Sequence, residues 1–313
     1  MPDTLKIALI TGGTDGLGKA AAIRLAQSGY RVFAAGRNAE RRAALASLAR
    51  EEKLPLECLE LDVSDDASVN RAVSEIENRA GSVDVLLNNA GIAVMATMEE
   101  ISQPDLHLQF ETNFFGVVRV TQRVLPGMRA RRRGRILNVS SVSGILSSPL
   151  FGPYCSSKFA LEAISDAWRL ELLPFGIHVI VLQPGFIQTN MVNASVQLSS
   201  SYTHGAAASP YAGLYRNFLG YWKKSTGKRK KKYQPEDFAK VVLRALRDTP
   251  PKPRYPVTRE ASTLRILRRL FTDRMFDRFT IRAMGIDKLR PGESLNPAEA
   301  EAALSELRNQ QKP

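Results

Sequence analysis

The chain has 313 residues, 44% hydrophobic and 24% charged, which excludes disordered and collagenous classes and allows a sizeable core. Its net charge is +13, yet acidic and basic side chains are equal in number up to residue 190, so the whole excess lies in the C-terminal third. Only Cys58 and Cys155 are present, with no metal-ligand spacing to any histidine, so a reducing, cytoplasmic setting is expected; with no leader ahead of Leu5 and no run of ~18 apolar residues, neither export nor membrane spanning is expected.

The apolar runs Leu5 to Ile10, Tyr30 to Ala35, Leu56 to Leu61, Val83 to Leu87, Arg135 to Val139 and Ile177 to Leu182 read as buried strands. Amphipathic stretches such as Leu17 to Ser28 and Ala39 to Glu52 lie between them. Strands without polar alternation, each followed by a helix, predict a parallel sheet covered on both faces, with right-handed crossovers. That is an α/β, doubly wound Rossmann fold, expected over residues 1–190. Residues 191–260 read as a flap and a closing helix/strand of the same domain, with a helix from Glu236 to Arg247 and a Pro-rich turn from Pro250 to Pro256. Residues 261–313 read as a basic helical extension containing one Arg-rich helix from Thr263 to Met284.

The segment Thr11-Gly12-Gly13-Thr14-Asp15-Gly16-Leu17-Gly18 follows the first strand and opens the first helix. Gly12 and Gly16 permit a tight turn and close approach to a pyrophosphate, Gly18 permits close helix packing, and the helix N-terminus offers amides and a positive dipole end. The second strand ends Ala34-Ala35-Gly36-Arg37-Asn38, so Gly36 stands where an NAD-selective site places an acidic side chain. Arg37 suits a 2′-phosphate, which favours NADP(H). Asp15, a carboxylate in the same turn, keeps NAD(H) as the alternative.

Tyr154 and Lys158 are four residues apart at the start of a predicted helix from Tyr154 to Leu173, and so share one face. Such a pair arises readily by chance, but Asn88-Asn89-Ala90-Gly91 after the fourth strand and Asn138-Val139-Ser140-Ser141 ending the fifth converge on it at the carboxyl ends of the strands. With Asp62-Val63, Asn113 and Pro184-Gly185, this ordered set resembles the short-chain dehydrogenase/reductase family over roughly residues 5–190. The resemblance implies an oxidoreductase moving a hydride between a nicotinamide cofactor and a carbonyl or alcohol carbon. It makes Tyr154 the general acid/base, Ser141 the group bonding the substrate oxygen, and Asn113 the support of a water-linked relay through Lys158. Lys158 would hold the nicotinamide ribose, and its ammonium is expected to lower the Tyr154 pKa. Asp62 would meet the adenine, Asn89 and Ala90 the nucleotide, and Ile187 and Thr189 the carboxamide, with Thr14, Leu17, Val63, Gly91, Pro184 and Gly185 completing the cofactor set. Ser140 competes with Ser141, but Ser141 lies thirteen residues before Tyr154, the interval the family uses.

Ser157 to Glu162 and the long extension look most like hydroxysteroid or retinol dehydrogenases, and the resemblance implies a homo-oligomer, dimer or tetramer. Tyr202, Tyr211, Tyr215, Phe218, Tyr221 and Trp222 would either wall a bulky apolar substrate or pack a lid. The Lys228 to Lys232 run and Arg265, Arg268, Arg269, Arg274, Arg278 and Arg282, beside Leu267, Leu270, Phe271, Met275, Phe276 and Phe279, fit weak association with an anionic membrane or a solvated face over packed apolar residues. No nucleic-acid partner is expected. Arg129, Arg131, Arg132, Arg133 and Arg135 read as decoration of a helix end and loop. The leading reading is an NADP(H)-dependent enzyme interconverting carbonyl and alcohol on a steroid, retinoid or fatty substrate. A 3-oxoacyl carrier-protein reductase and a non-catalytic NADPH-binding regulator are the alternatives, and the complete Ser141, Tyr154 and Lys158 set weighs against the regulator.

Overall fold

The computed structural model describes residues 5–187, 189–227 and 233–290. Strands β1 (Lys6–Thr11), β2 (Tyr30–Gly36), β3 (Leu56–Glu60), β4 (Val85–Asn88), β5 (Gly134–Val139), β6 (Ile177–Gln183) and β7 (Arg254–Pro256) form one parallel sheet in the order β3-β2-β1-β4-β5-β6-β7. The helices between the first six are α1 (Gly16–Ala26), α2 (Ala39–Glu51), α3 (Asp66–Ala80), α4 (Gln103–Phe110), α5 (Gly116–Ala130) and α6 (Gly152–Glu171). A lid of α7 (Met191–Leu198), α8 (Ser200–Gly205) and α9 (Ala212–Gly227) follows, then α10 (Pro235–Arg247) ahead of β7, and finally α11 (Arg259–Leu270) and α12 (Asp273–Met284).

The strands are apolar throughout because both faces are covered. Ala8, Ile10 and Leu87 point to one face, against Leu25 of α1, Leu45 of α2 and Phe238 and Val242 of α10. Their neighbours Ile7, Leu9 and Leu86 point to the other, against Val73 and Ile76 of α3 and Val120 and Val124 of α5. Strand order reverses at β1, which lies between β2 and β4, and the reversal opens a crevice at the carboxyl ends of the strands. The Rossmann fold read from the sequence is therefore present.

Three expectations change. The Pro-rich stretch holds the closing strand, since Arg254 to Pro256 pair in parallel with Val181 to Gln183; at a sheet edge a proline has no ladder donor to lose. The flap is helical, with an apolar cluster of Met95, Leu150, Val196, Tyr215, Phe218, Leu219 and Met284 beneath it. The helix expected from Thr263 to Met284 is two helices: the Thr258 hydroxyl accepts from the Ala261 amide and starts α11 early, and Thr272, extended at φ −72° and ψ 161°, separates α11 from α12. The Arg129 to Arg135 cluster fastens a helix end to its surroundings, with Arg131 donating to Val83 O at 2.9 Å and Arg135 to Ala245 O at 2.8 Å. Among the described residues no helix is long and apolar enough to cross a membrane.

Candidate active site

The glycine turn is fixed by its own backbone and by one neighbouring strand. Gly12 and Gly16 have φ of +60° and +50°, which disfavour any side chain. A Cβ on Gly18 would lie 2.2 Å from the Gly12 carbonyl oxygen, and one on Gly36 2.5 Å from the Thr14 hydroxyl. Thr11 Oγ1 accepts from the Asn89 and Ala90 amides at 3.0 and 3.1 Å, while Asn89 Nδ2 donates to the Thr11 and Gly12 carbonyls, both at 3.0 Å. Asn89 thus ties the turn to the end of β4.

The charges around this turn are paired. Asp15 caps α1 by accepting from the Gly16 amide at 2.8 Å, accepts from Asn190 Nδ2 at 3.0 Å, and meets Arg41 at 2.8 Å. Its carboxylate is therefore offset by a cation at the same spot. Arg37 extends from the end of β2 to 3.5 Å from Asp62. Burial works to raise the Asp62 carboxyl, but hydrogen bonds from Ser64 and the Arg37 charge outweigh it and hold the group below the usual carboxylate value. Arg42 instead points inward, donating to the Gly36 and Arg37 carbonyls at 2.9 and 2.6 Å.

At the other end of the crevice, α6 presents Tyr154, Lys158, Glu162 and Asp166 at four-residue intervals along one face. Lys158 is buried and donates to the Val139 carbonyl at 2.8 Å. Its Nζ lies 5.7 Å from the centre of the Tyr154 ring. Burial lowers the Lys158 pKa to about 8 against the opposing charge of Glu162. The expected lowering of the Tyr154 pKa is not what the geometry gives: burial pushes it up to about 12, with a hydrogen bond to Ser141 pulling the other way. Of the two serines, Ser141 is the one whose side chain pulls the Tyr154 pKa down, while the buried Ser140 hydroxyl has no hydrogen-bond partner among the described residues.

Asn113 sits in a π-helical turn, Glu111–Phe115, between α4 and α5. Its carboxamide accepts from the Ile92 amide at 2.9 Å and donates to the Ile92 carbonyl at 3.0 Å and to Ser157 Oγ at 3.1 Å. It thereby fixes the segment beside Lys158, where a Cβ on Gly91 would stand 3.8 Å from Nζ. Behind Lys158, Glu162 accepts from Gln183 and from Arg254 of β7, both at 2.9 Å, and Arg254 also grips Asp166 through two nitrogens.

One open cleft is lined by Gly12, Thr14, Asp15, Gly16, Leu17, Arg37, Asp62, Val63, Asn89, Ala90, Gly91, Ser141, Tyr154, Lys158, Pro184, Gly185, Ile187 and Thr189. Gly18 and Asn113 lie behind its wall. The strand-end reading missed Arg41, Asn190 and the apolar Ile92, Ala93, Met191, Ala194 and Leu198, all of which line it; the one signal available was the second arginine four residues after Arg37. The cradle that added Cβ atoms would fill at Gly18 and Gly36, together with the two cations at the β2 end, fits a dinucleotide.

The lid tyrosines do not wall the cleft. Tyr202 donates to Asp105 and accepts from the Ser102 amide at 2.9 Å, Tyr211 donates to Glu99, and Tyr215 donates to Glu100 at 3.0 Å. They pin the lid to an acidic segment of the body. Phe218 packs on Phe151 at 5.5 Å, and Phe151 on Tyr154 at 6.1 Å. Tyr221 is exposed; the Trp222 side chain and Lys228 to Lys232 lie outside the described residues.

Comparison with known proteins agrees with this geometry. The pattern of the short chain dehydrogenase family matches residues 6–198. The uncharacterized oxidoreductase YusZ of Bacillus subtilis is 35% identical over 272 residues, 85% of this chain and 94% of its own. Human 17-beta-hydroxysteroid dehydrogenase type 1 is 33% identical over 258 residues, 80% of this chain and 77% of its own. The crystal structure of actinorhodin polyketide ketoreductase with NADPH is similar at a TM-score of 0.65 and 29% identity, covering 77% of this chain and 89% of that one. The chain belongs to the short-chain dehydrogenase family, whose members are oxidoreductases that bind NAD(P) and act on CH–OH and C=O groups.

Proposed function

We propose that the chain is an NADP(H)-dependent carbonyl reductase for a lipophilic substrate, with Tyr154 as the proton donor. The observation that carries this reading is the meeting of Ser141, Tyr154 and Lys158 on the wall of the cleft whose far end is the glycine turn. A phenol with a pKa of about 12 stays protonated at neutral pH, yet it is a far stronger acid than an alcohol. It is therefore suited to protonate the oxygen of a carbonyl under reduction. Ser141 donates to the same oxygen, and the Lys158 ammonium, within the same wall, stabilises the phenolate left behind.

The nicotinamide nucleotide, when bound, supplies the hydride. Gly12, Gly16 and the start of α1 would hold its phosphates, Arg37 and Arg41 the 2′-phosphate, and Lys158 the nicotinamide ribose. Asn113 acts by holding the backbone of Ile92, next to Gly91. Ile92, Ala93, Met191, Ala194 and Leu198 give the substrate end an apolar wall, in place of the lid aromatics. The steroid in the name of the human relative is a substrate of this kind. The exposed Leu108, Phe115 and Phe159 on α4, the π turn and α6 suit cover by a second copy of the chain.

The test is oxidation of NADPH across a panel of steroid, retinoid, long-chain and 3-oxoacyl thioester carbonyls, repeated with NADH and with Arg37→Ala. Loss of one charge-assisted contact predicts a KM for NADPH raised about tenfold or more, with little change for NADH. Equal use of both cofactors by the wild type would overturn the NADP assignment, and turnover confined to acyl thioesters would overturn the lipophilic-ketone assignment.

A further inference from the structure

Beyond the cleft, α11 and α12 carry large apolar side chains that the body leaves uncovered. Ala261 of α11 and Met284 of α12 are buried and mark the faces turned toward the protein. Nine positions from each, two and a half helical turns away, stand Leu270 and Met275, on the opposite faces. Ile266 and Leu270 form one i,i+4 pair at 59% and 70% exposure, and Met275 and Phe279 another at 44% and 66%. Such side chains gain free energy on burial, and left in water they forgo it.

Cations flank these pairs. Arg269 stands beside Leu270, while Arg278 and Arg282 flank Phe279, and all three are exposed. The elbow between the helices is braced: Arg268 pairs with Asp273 at 2.7 Å and lies 5.7 Å from the centre of the Phe276 ring, which packs on Phe271 at 5.9 Å. Phe276 and Arg268 are thus committed to the elbow, and Ile266, Leu270, Met275 and Phe279 are left facing outward. Where α12 ends, Met284 enters the cluster beneath the lid and Asn217 of α9 donates to the Gly285 carbonyl at 3.1 Å, so the element is held to the body at a fixed place.

We propose that the outer faces of α11 and α12 form a docking surface for an anionic lipid bilayer. Apolar side chains enter the acyl boundary while the interleaved arginines meet lipid phosphates, a pairing of charge and hydrophobicity that an apolar protein partner would leave with unpaired cations. The proposal is independent of the reaction assigned to the cleft.

The test is co-sedimentation of the full chain with vesicles of phosphatidylcholine alone and of phosphatidylcholine with phosphatidylglycerol. Binding is expected only to the anionic vesicles, falling as salt is raised. Arg278→Gln with Arg282→Gln is expected to weaken it by about twenty-five-fold, at about fivefold per arginine, and Leu270→Ser with Phe279→Ser by a comparable factor. NADPH binding and thermal melting report that each variant remains folded. Failure of the wild type to sediment with anionic vesicles at low salt, or unchanged binding by folded variants, would overturn the proposal. If the wild type is instead a concentration-dependent oligomer that the Leu270→Ser, Phe279→Ser variant dissociates, the surface belongs to a second copy of the chain.

Discussion

The glycine turn and the lid both border the cleft, and they are held in opposite ways. In the turn the constraint is space and backbone: a Cβ at Gly18 meets a carbonyl oxygen at 2.2 Å, and the anchoring groups are Thr11 and Asn89 at the ends of adjacent strands. In the lid the constraint is a set of phenol hydroxyls reaching the acidic segment from Glu99 to Asp105, across about a hundred residues of sequence. The turn is therefore intolerant of added atoms but needs few partners. The lid tolerates changes of shape and depends on partners that its local sequence does not reveal.

The largest effect is expected where the two regions meet. Tyr154→Phe keeps the ring that packs on Phe151 under the lid and removes only the hydroxyl. Turnover should fall by about 10² to 10⁴, with NADPH binding retained. A variant with more than about a tenth of wild-type activity would remove Tyr154 from the chemistry and leave it as a packing link between lid and body.

Next in size, Gly18→Ala forces the Gly12 carbonyl or Asn89 Nδ2, 2.5 Å from the new atom, to move. NADPH affinity should drop by about fivefold to about 150-fold, as strain of about 1 to 3 kcal/mol implies. Titration calorimetry checks this, and an unchanged affinity would show that the turn has more slack than its packing suggests.

Tyr215→Phe tests the lid in the contrasting way. It removes a hydrogen bond to the Glu100 carboxylate while keeping the buried ring. A loss of about 1 to 3 kcal/mol in stability is expected with substrate KM unchanged, read by denaturant melts and steady-state kinetics. A changed KM at unchanged stability would return the tyrosines to the substrate wall, one of the two places their clustering in the sequence allows.

The contrast also explains what was legible in the sequence. Motif residues such as Gly12, Ser141 and Lys158 carry their reason locally, through strand ends and helix spacing, and the cleft brings them together. Arg41 and Asn190 line the cleft because of their bonds to Asp15, and Asn190 is 175 residues from it. Tyr202 and Tyr215 look alike as letters whether they face a ligand or a carboxylate. The break at Thr272 hid within an uninterrupted amphipathic pattern because threonine is tolerated both inside a helix and at its cap.

The smallest effect concerns charge behind the site, where the face of α6 that carries Tyr154 and Lys158 meets β7. Glu162 raises the Lys158 pKa toward its ordinary value, and Arg254 shares the Glu162 carboxylate. If the Lys158 cation is the form that supports Tyr154, activity falls as pH rises through about 8, where Lys158 loses its proton. Glu162→Gln removes the raising charge, so this basic limb should move to lower pH, by less than about one unit. Arg254→Met leaves the Glu162 charge unshared, so the limb should move to higher pH. Opposite displacements of one limb are the signature of an electrostatic link through Lys158. A role in fastening β7 to α6 alone would lower the melting temperature of both variants and leave the pH profile in place.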